Sequence, residues 1–477
     1  MNRTSTLVFP PPAHWINGQP IPCEGPTINV INPAIGAVVA TAPDGTAADV
    51  DRAVSAATAA FRTWATATPA ERVSVLRRVA TGLRQRGQEI AEAMTAEMGA
   101  AISFTRAAAP ALPPLTIESL AGVAEEFAWT EEIANSLIVR EPIGVVGAIV
   151  PWNFPIQQIT TKVVPALLAG NTVVLKPAEL APLAARIFAE VAADAGLPAG
   201  VLNVVHGTGP TVGEAIAAHP GIDMVSFTGS TRAGKRVAAV AAETVKRVAL
   251  ELGGKSANII LPEADLRDAV TRGLASAWTN NGQICGAYTR MLVPAELQAQ
   301  AVDVLREAAT EYTVGDPADE RTRLGPLASE AQRARVAGYI ERGIADGATL
   351  IVGGPGRPEG LETGAYVRPT VFADVDPDSA LAREEIFGPV LAVIPYTDDD
   401  HAVEIANNTL YGLNGAVFGE QEHALAIAKR MRTGQVDINA GQFNPLAPFG
   451  GYKQSGNGRE YGRMGLEEFL ETKAIQR

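Results

Sequence analysis

The chain has 477 residues, more than a single hydrophobic core usually supports, so two or three domains are expected. Hydrophobic residues make up 47%, charged residues 19%, and no uninterrupted apolar run reaches the ~18 residues of a membrane span. A net charge of −13 argues against a nucleic-acid footprint, two cysteines cannot build a disulfide framework, and five scattered histidines offer no metal-ligand spacing. These properties point to a metal-free cytoplasmic protein, and residues 1 to 20, with Pro10, Pro11 and Pro12 and no long apolar stretch, show no signal peptide.

The first local signal is His14-Trp15-Ile16-Asn17-Gly18, an apolar stretch running into an Asn-Gly turn, which predicts a hairpin. Residues 46 to 64 carry Val50, Ala53, Val54, Ala57, Phe61 and Trp64 at helical spacing. Thr68-Pro69-Ala70-Glu71 reads as a capping box with Pro at the first helical position, opening a second helix that ends at Gly99. The apolar stripes of these helices make them packing surfaces.

From about residue 143 short apolar strands (143–150, 172–175, 201–205, 223–228) alternate with helices (156–169, 181–195, 210–218, 231–241). Such alternation implies a parallel sheet with right-handed crossovers, the usual dinucleotide-binding architecture. It begins again after residue 255, with Ser256 to Leu261 as strand and Asp265 to Asn281 as helix, so a domain boundary is placed near Gly253-Gly254. Residues 353–364 are turn-rich and read as a surface loop.

Three stretches carry chemistry. Gly229-Ser230-Thr231-Arg232-Ala233-Gly234 lies between a strand and a helix, where backbone N–H groups and the positive helix end suit a pyrophosphate, with the Ser230 hydroxyl beside them; an ordinary strand-to-helix turn is the other reading. Lys176 and Glu179 follow a strand and so stand at a carboxyl end, where ligands bind in such sheets. Glu251-Leu252-Gly253-Gly254-Lys255 and Gly282-Gln283-Ile284-Cys285 bracket one strand-helix unit, joining a candidate base to a candidate nucleophile. Cys23 has no motif around it and reads as a small structural residue.

Together with Pro151-Trp152-Asn153-Phe154-Pro155, Lys176-Pro177-Ala178-Glu179, Phe227-Thr228-Gly229-Ser230 and Glu384-Glu385-Ile386-Phe387-Gly388-Pro389, these motifs resemble the aldehyde dehydrogenase superfamily over nearly the whole chain. The resemblance implies an α/β fold: a Rossmann-like NAD-binding domain (1–118 and 142–253), an α/β catalytic domain (254–453), a return segment (454–466) and a small β oligomerisation arm (119–141 as a hairpin, 467–477 as the last strand). It implies a homodimer or homotetramer acting on a small-molecule aldehyde, with no nucleic acid or membrane as partner.

By the same resemblance the Cys285 thiolate attacks the aldehyde, and the Asn153 amide with the Cys285 backbone N–H meets the oxyanion. Hydride leaves to the nicotinamide, and Glu251 activates the water that hydrolyses the thioester. Polarised backbone groups and a bound nicotinamide cation would keep Cys285 reactive near neutral pH. Lys176 and Glu179 match the adenosine-ribose contacts, so NAD is expected over NADP; Gly229 and Ser230 match the phosphate turn. Glu385 matches the nicotinamide-ribose carboxylate and Phe387 the aromatic beside it, with Trp152 and Leu252 as further cofactor contacts. Lys162 and Glu460 match a proton path from the base, an exposed lysine and a structural ion-paired glutamate being the alternatives. Gly450 to Gly456 reads as a close-packed loop near the site.

The implied substrate tunnel comprises Phe154, Gln158, Thr161, Ile284, Gly286, Phe443 and Phe449: largely apolar, partly polar, and without Arg or Lys. A short semialdehyde would leave its carboxylate unpaired there, whereas Val225 to Gly254 and Phe449 to Glu468 resemble the subgroup acting on longer-chain oxo acids. Three other readings compete: a CoA-acylating relative, against which Glu251 speaks; a non-catalytic binding or lens-type homologue, against which Cys285, Glu251 and Asn153 speak; and a semialdehyde dehydrogenase of amino-acid breakdown, which differs only in the tunnel.

Overall fold

A computed structural model describes residues 11–477, so the part of the signal-peptide reading that rests on residues 1–10 lies outside the described residues. The Asn-Gly hairpin forms as expected, pairing Ala13–Ile16 with Gln19–Pro22, because Asn17 and Gly18 adopt the positive φ values, 54° and 77°, that its turn requires. It extends an eight-stranded sheet whose order is Gly456–Asn457, Arg247–Glu251, Met224–Thr228, Val145–Ile149, Thr172–Lys176, Leu202–Val204, Ala13–Ile16 and Gln19–Pro22. The five central strands are parallel, and the short flanking ones are antiparallel.

Period-2 geometry gives this sheet two apolar faces. Val146, Ala148, Val173, Leu175 and Met224 face one helical layer, and Val145, Ile149, Val174, Val225 and Phe227 face the other. A seven-stranded sheet (Thr349–Val352, Thr370–Ala373, Val390–Tyr396, Arg290–Pro294, Ala257–Ile260, Gly415–Phe418, Asp437–Ile438) repeats the plan with its own two cores. The chain crosses from the first sheet to the second between Glu251 and Ala257 and returns after Ile438 to add Gly456–Asn457 beside Arg247–Glu251. Among the described residues no helix is long and apolar enough to cross a membrane, and no three His, Cys, Asp or Glu side chains are placed to hold a metal.

Three expectations need correction. The helix opened by the Thr68 capping box stops at Gln85, and a separate helix runs Gly87–Met98 before the left-handed cap at Gly99. The break lies where Pro110 presses on the chain, since a Cβ at Gly87 would sit 2.6 Å from the Pro110 Cβ. The helix expected to reach Asn281 ends at Trp278, because Asn280 and Asn281 take left-handed conformations. The hairpin expected over 119–141 spans only Thr130–Ile133 and Ser136–Pro142. Leu112–Glu126 is a helix, held there because Ile117, Leu120, Ala121 and Ala124 are buried in the core of the first sheet.

The small third sheet is otherwise as expected, with Leu470–Gln476 pairing antiparallel along Ser136–Pro142. Arg247 ties that strand down, its guanidinium donating to the Leu470 carbonyl at 2.8 Å and to the Glu471 carboxylate at 3.0 Å.

One buried acid makes the stability of this fold pH-dependent. Glu97 is 1% exposed, accepts the Leu183 N–H at 3.1 Å, and is pushed up to about 8 by burial. A folded-state value above the unfolded one means that its contribution is complete below about pH 4.5 and is lost as pH rises through about 8. Glu97→Gln keeps the acceptor without the charge. Calorimetry should show little change at pH 5 and a Tm above the parent's at pH 8.5, by ~2 °C or more, the shift of about 1 kcal/mol in a domain of this size.

Candidate active site

The site residues of the first sheet stand at the carboxyl ends of its parallel strands. Thr228 and Glu251 are in register as the last residues of adjacent strands, and Lys176, ending another, is paired with Ile149. After Thr228 the chain turns through Gly229 into the helix Thr231–Ala241, whose cap is Ser230. The Ser230 oxygen accepts from the Ala233 N–H at 3.3 Å, which leaves its own O–H free to be offered outward. Beyond Ile149, Trp152 and Asn153 precede the helix Pro155–Ala169, which carries Gln158, Thr161 and Lys162.

Cys285 comes from the second sheet, on the loop before Arg290–Pro294. Three consecutive left-handed residues aim that loop: Asn280, Asn281 and Gly282, with φ of 51°, 56° and 69°. Asparagine tolerates this region, and here its amides are also committed, Asn280 Nδ2 donating to the Asn153 carbonyl at 3.0 Å and Asn281 Nδ2 to the Pro326 carbonyl at 2.9 Å. A Cβ at Gly282 would lie 2.2 Å from the Gly388 carbonyl oxygen, so only glycine fits. The Asn153 amide in turn donates to the Gln283 carbonyl at 2.9 Å, which leaves its second N–H uncommitted.

A cleft of about 260 Å³ runs from the phosphate turn to the thiol. It brings together Trp152, Asn153, Gln158, Gly229, Ser230, Leu252, Cys285, Glu385 and Phe387, with Thr228 of the Phe227–Ser230 motif, and adds Gln332 and Arg335, which the motifs did not reveal. Gln332 and Arg335 sit on the helix Glu330–Ala345 and hold the Glu385–Phe387 backbone, donating to the Phe387 and Glu385 carbonyls at 2.7 Å each. The Phe387 ring packs edge-on against Trp152, 5.5 Å between centroids. Glu385 Oε1 accepts the Gly254 N–H at 3.1 Å, and a Cβ at Gly253 would lie 2.3 Å from Glu385 Oε2. Lys176 and Glu179 lie outside this cleft as a 3.0 Å ion pair.

Glu251 faces away from the cleft into a second, smaller cavity shared with Lys162 and Glu460. Lys162 is 1% exposed and bonded to Glu460 at 2.6 Å, so it is not a surface lysine. The Gly450 to Gly456 loop is close-packed, as expected: a Cβ at Gly450 would lie 2.8 Å from Glu251 Oε1, and Ser455 Oγ donates to the Gly253 carbonyl at 2.6 Å.

The expected tunnel residues are not equally enclosed. Phe154 is half-buried and edge-on to Phe104, Ile284 and Gly286 flank Cys285, and Phe443 is 47% exposed. Thr161 spends its hydroxyl on the Gln158 carbonyl, whereas Gln158 Oε1 has no partner. Tyr461, which no motif pointed to, organises this wall. Its ring is edge-on to Phe443 and Phe449, at 5.3 and 6.3 Å, and its hydroxyl accepts from Gln157 Nε2 at 2.9 Å.

Electrostatically the centre is crowded with acids. Burial pushes Glu385 up to about 7. Burial and the neighbouring Glu460 raise Glu251 well above the usual carboxylate range, with Lys162 and Arg459 opposing, and neither Glu251 oxygen has a hydrogen-bond partner. Burial, then Glu385, Glu251 and Glu460, push the Cys285 thiol up to about 12; the Gly286 N–H opposes this only weakly. In the free protein the polarised Gly286 N–H favours the thiolate. The burial cost and the surrounding negative charge outweigh it.

The aldehyde dehydrogenase family profile matches residues 21–475. A 3-succinoylsemialdehyde-pyridine dehydrogenase from Pseudomonas sp is 47% identical over 97% of this chain and 97% of its own length. The crystal structure of a mutant aldehyde dehydrogenase C from Pseudomonas syringae, in complex with NAD+ and octanal, superposes with a TM-score of 0.96 at 51% identity, covering 98% of this chain and 96% of that one. A Mycobacterium tuberculosis aldehyde dehydrogenase complexed with NAD+ gives a TM-score of 0.95 at 43% identity, covering 98% of each chain.

A protonated thiol reacts only through its small thiolate fraction. The rate of Cys285 alkylation by iodoacetamide in the free protein, followed by peptide mass, should therefore rise about tenfold per pH unit from pH 7 to 10. A rate flat across that range would show a thiolate already formed at neutrality.

Proposed function

The chain belongs to the aldehyde dehydrogenase family, and from that premise we propose that it oxidises an aldehyde to the carboxylic acid with NAD through a covalent intermediate on Cys285. The observation that carries this reading is the single cleft joining the Gly229–Ser230 turn to Cys285, with the free N–H of Asn153 at the thiol end. The residues present suit a dinucleotide. The buried Thr228 hydroxyl lining the cleft has no partner, Gly229 opens a helix N-terminus, and Trp152, Leu252 and Phe387 offer apolar walls. Glu385 would hold the nicotinamide ribose and Lys176 with Glu179 the adenosine ribose, where a carboxylate disfavours a 2′-phosphate and so favours NAD over NADP.

Bound in this cleft, NAD supplies a hydride acceptor and a positive ring whose charge offsets the acids around Cys285. The Cys285 thiol gives up its proton to solvent, the resulting thiolate sulfur bonds to the aldehyde carbon as the carbonyl electron pair moves to oxygen, and the Asn153 amide with the Cys285 N–H stabilises the oxyanion of the thiohemiacetal. Loss of hydride leaves a thioester. Glu251 then takes a proton from the attacking water, whose oxygen bonds to the acyl carbon as the carbon–sulfur bond breaks. For that step Glu251 must turn from its cavity toward the thioester, a movement that its unpartnered oxygens leave unopposed by hydrogen bonds.

The proposed domains follow the sheets: 1–129 and 143–253 for the cofactor, 254–453 for catalysis, and an arm narrowed to 130–142 with 470–476. The exposed edges of the arm support a homodimer or homotetramer. The two free thiols support a cytoplasmic location. Phe154, Ile284 and Phe449 support an apolar aldehyde of medium length, and the octanal held by the Pseudomonas syringae relative agrees with this. Gln158 with the Gln157–Tyr461 pair would accommodate an oxo group further along the substrate.

Cys285→Ala should form no NADH from any aldehyde. Glu251→Gln mixed with NAD and octanal should give an NADH burst near one per active site, then turnover ~100- to 10,000-fold below the parent, with an acyl adduct on Cys285 by mass. Absence of both burst and adduct would place Glu251 before acylation, and acyl-CoA release by the parent would overturn hydrolysis.

Each methylene buried in the tunnel should add up to ~0.8 kcal/mol, so kcat/KM should climb from acetaldehyde to octanal. A preference for succinic semialdehyde over hexanal would refute the apolar tunnel.

A further inference from the structure

The cavity behind Glu251 holds about 10 Å³, on the order of one water molecule, and connects groups of very different exposure. At its inner end are the two unpartnered oxygens of Glu251. Along its wall lies the Lys162–Glu460 pair, fixed by reciprocal backbone bonds of 2.7 and 2.9 Å between Glu460 and Phe449. At its outer end are Asn457, which is exposed, and Glu468, which is half-buried. Glu468 caps the helix Gly462–Glu467, where its Oε1 accepts the Arg459 N–H at 3.0 Å. Arg459 and Arg247 are the cations nearest it, and Lys162, Glu460 and Glu251 face it across the cavity. The substrate cleft contains none of these groups.

This separation matters for the proposed hydrolysis. When water attacks the thioester, its oxygen bonds to the acyl carbon, the carbon–sulfur electron pair returns to sulfur as thiolate, and one water proton goes to Glu251. Glu251 must lose that proton before the next turnover, while cofactor and product occupy the cleft. We propose that Glu468 is the solvent-side end of the proton route from Glu251, receiving the proton through the cavity water past Lys162 and Glu460 and passing it to bulk solvent. The proposal rests on the hydrolytic reading and adds to it a residue outside the cleft, acting through Glu251. Burial raises Glu468 above the usual carboxylate range, with Arg247 and Arg459 opposing, which moves it toward the pH at which a relay must both take and give a proton.

The test compares the parent with Glu468→Gln and Glu468→Asp, using NAD and octanal. Glutamine keeps the acceptor for the Arg459 N–H and removes only the proton. An unchanged NADH burst in Glu468→Gln shows an intact fold and first half-reaction. Its steady turnover at pH 7 should fall about 3- to 30-fold, with a larger solvent deuterium isotope effect, as for loss of one proton-transfer group. Added imidazole should restore the rate in proportion to its concentration, and Glu468→Asp should keep most of it. A purely structural role would respond to neither imidazole nor the isotope. Parental turnover and isotope effect in Glu468→Gln, or a loss that imidazole does not restore, would overturn the proposal. A parent that forms no NADH would instead overturn the oxidation reading on which it rests.

Discussion

The arrangement depends on one close approach of backbones. A Cβ at Gly254 would lie 2.3 Å from the Cys285 carbonyl oxygen, and one at Gly253 the same distance from the Glu385 carboxylate. A side chain at Gly254 would push the two sheets apart where they meet and move Cys285 away from the segments that carry Thr228, Glu251 and Asn153, whereas one at Gly253 would displace the Glu385 carboxylate. Gly254 therefore sets the width of the cleft, and Gly253 the place of the Glu385 carboxylate in it. The left-handed turn Asn280–Gly282 then aims the thiol into it, and the Asn280 and Asn153 amides lock that turn to the opposite wall.

The second constraint is electrostatic. Burial pushes Glu251, Glu385 and the Cys285 thiol toward their protonated forms, opposed by Lys162 and Arg459 at Glu251 and by Arg335 and Lys255 at Glu385. A positive group entering the cleft would offset the acids around the thiol. Breaking the buried Lys162–Glu460 pair would leave an uncompensated charge beside Glu251, a change usually worth several kcal/mol, so this pair holds the fold as well as the field.

The chain's return to the first sheet unites these parts. Gly456–Asn457 pairs with Leu250 and Glu251, Glu460 meets Lys162, and Tyr461 braces Phe443 and Phe449, all within six residues. Residues 456–461 thus wall the Glu251 cavity on one side and the proposed substrate tunnel on the other. Glu468 and the strand Leu470–Gln476 follow directly, so the segment that closes the site also leads into the arm.

Elements set by local chemistry were legible in the sequence: the Asn17–Gly18 hairpin, the Thr68 capping box, the strand-helix alternation from Val145 to Ala241, and the residues of the cleft from Trp152 to Phe387. Periodicity and turn geometry act over a few neighbours, and a motif matched as a whole carries its site residues with it. What only the tertiary structure decided were contacts between distant segments. Pro110 packs against the chain at the helix break beside Gly87, core burial keeps Leu112–Glu126 helical where a hairpin was expected, and Asn153 and Pro326 hold Asn280 and Asn281 left-handed at the end of an otherwise helical pattern. Gln332, Arg335 and Tyr461 gain their places in the site from helix packing and chain return, and the Cys285 thiol is pushed up by burial first and then by acids brought in from three separate segments. None of these has a local signature, because each depends on which surfaces meet once both sheets have formed.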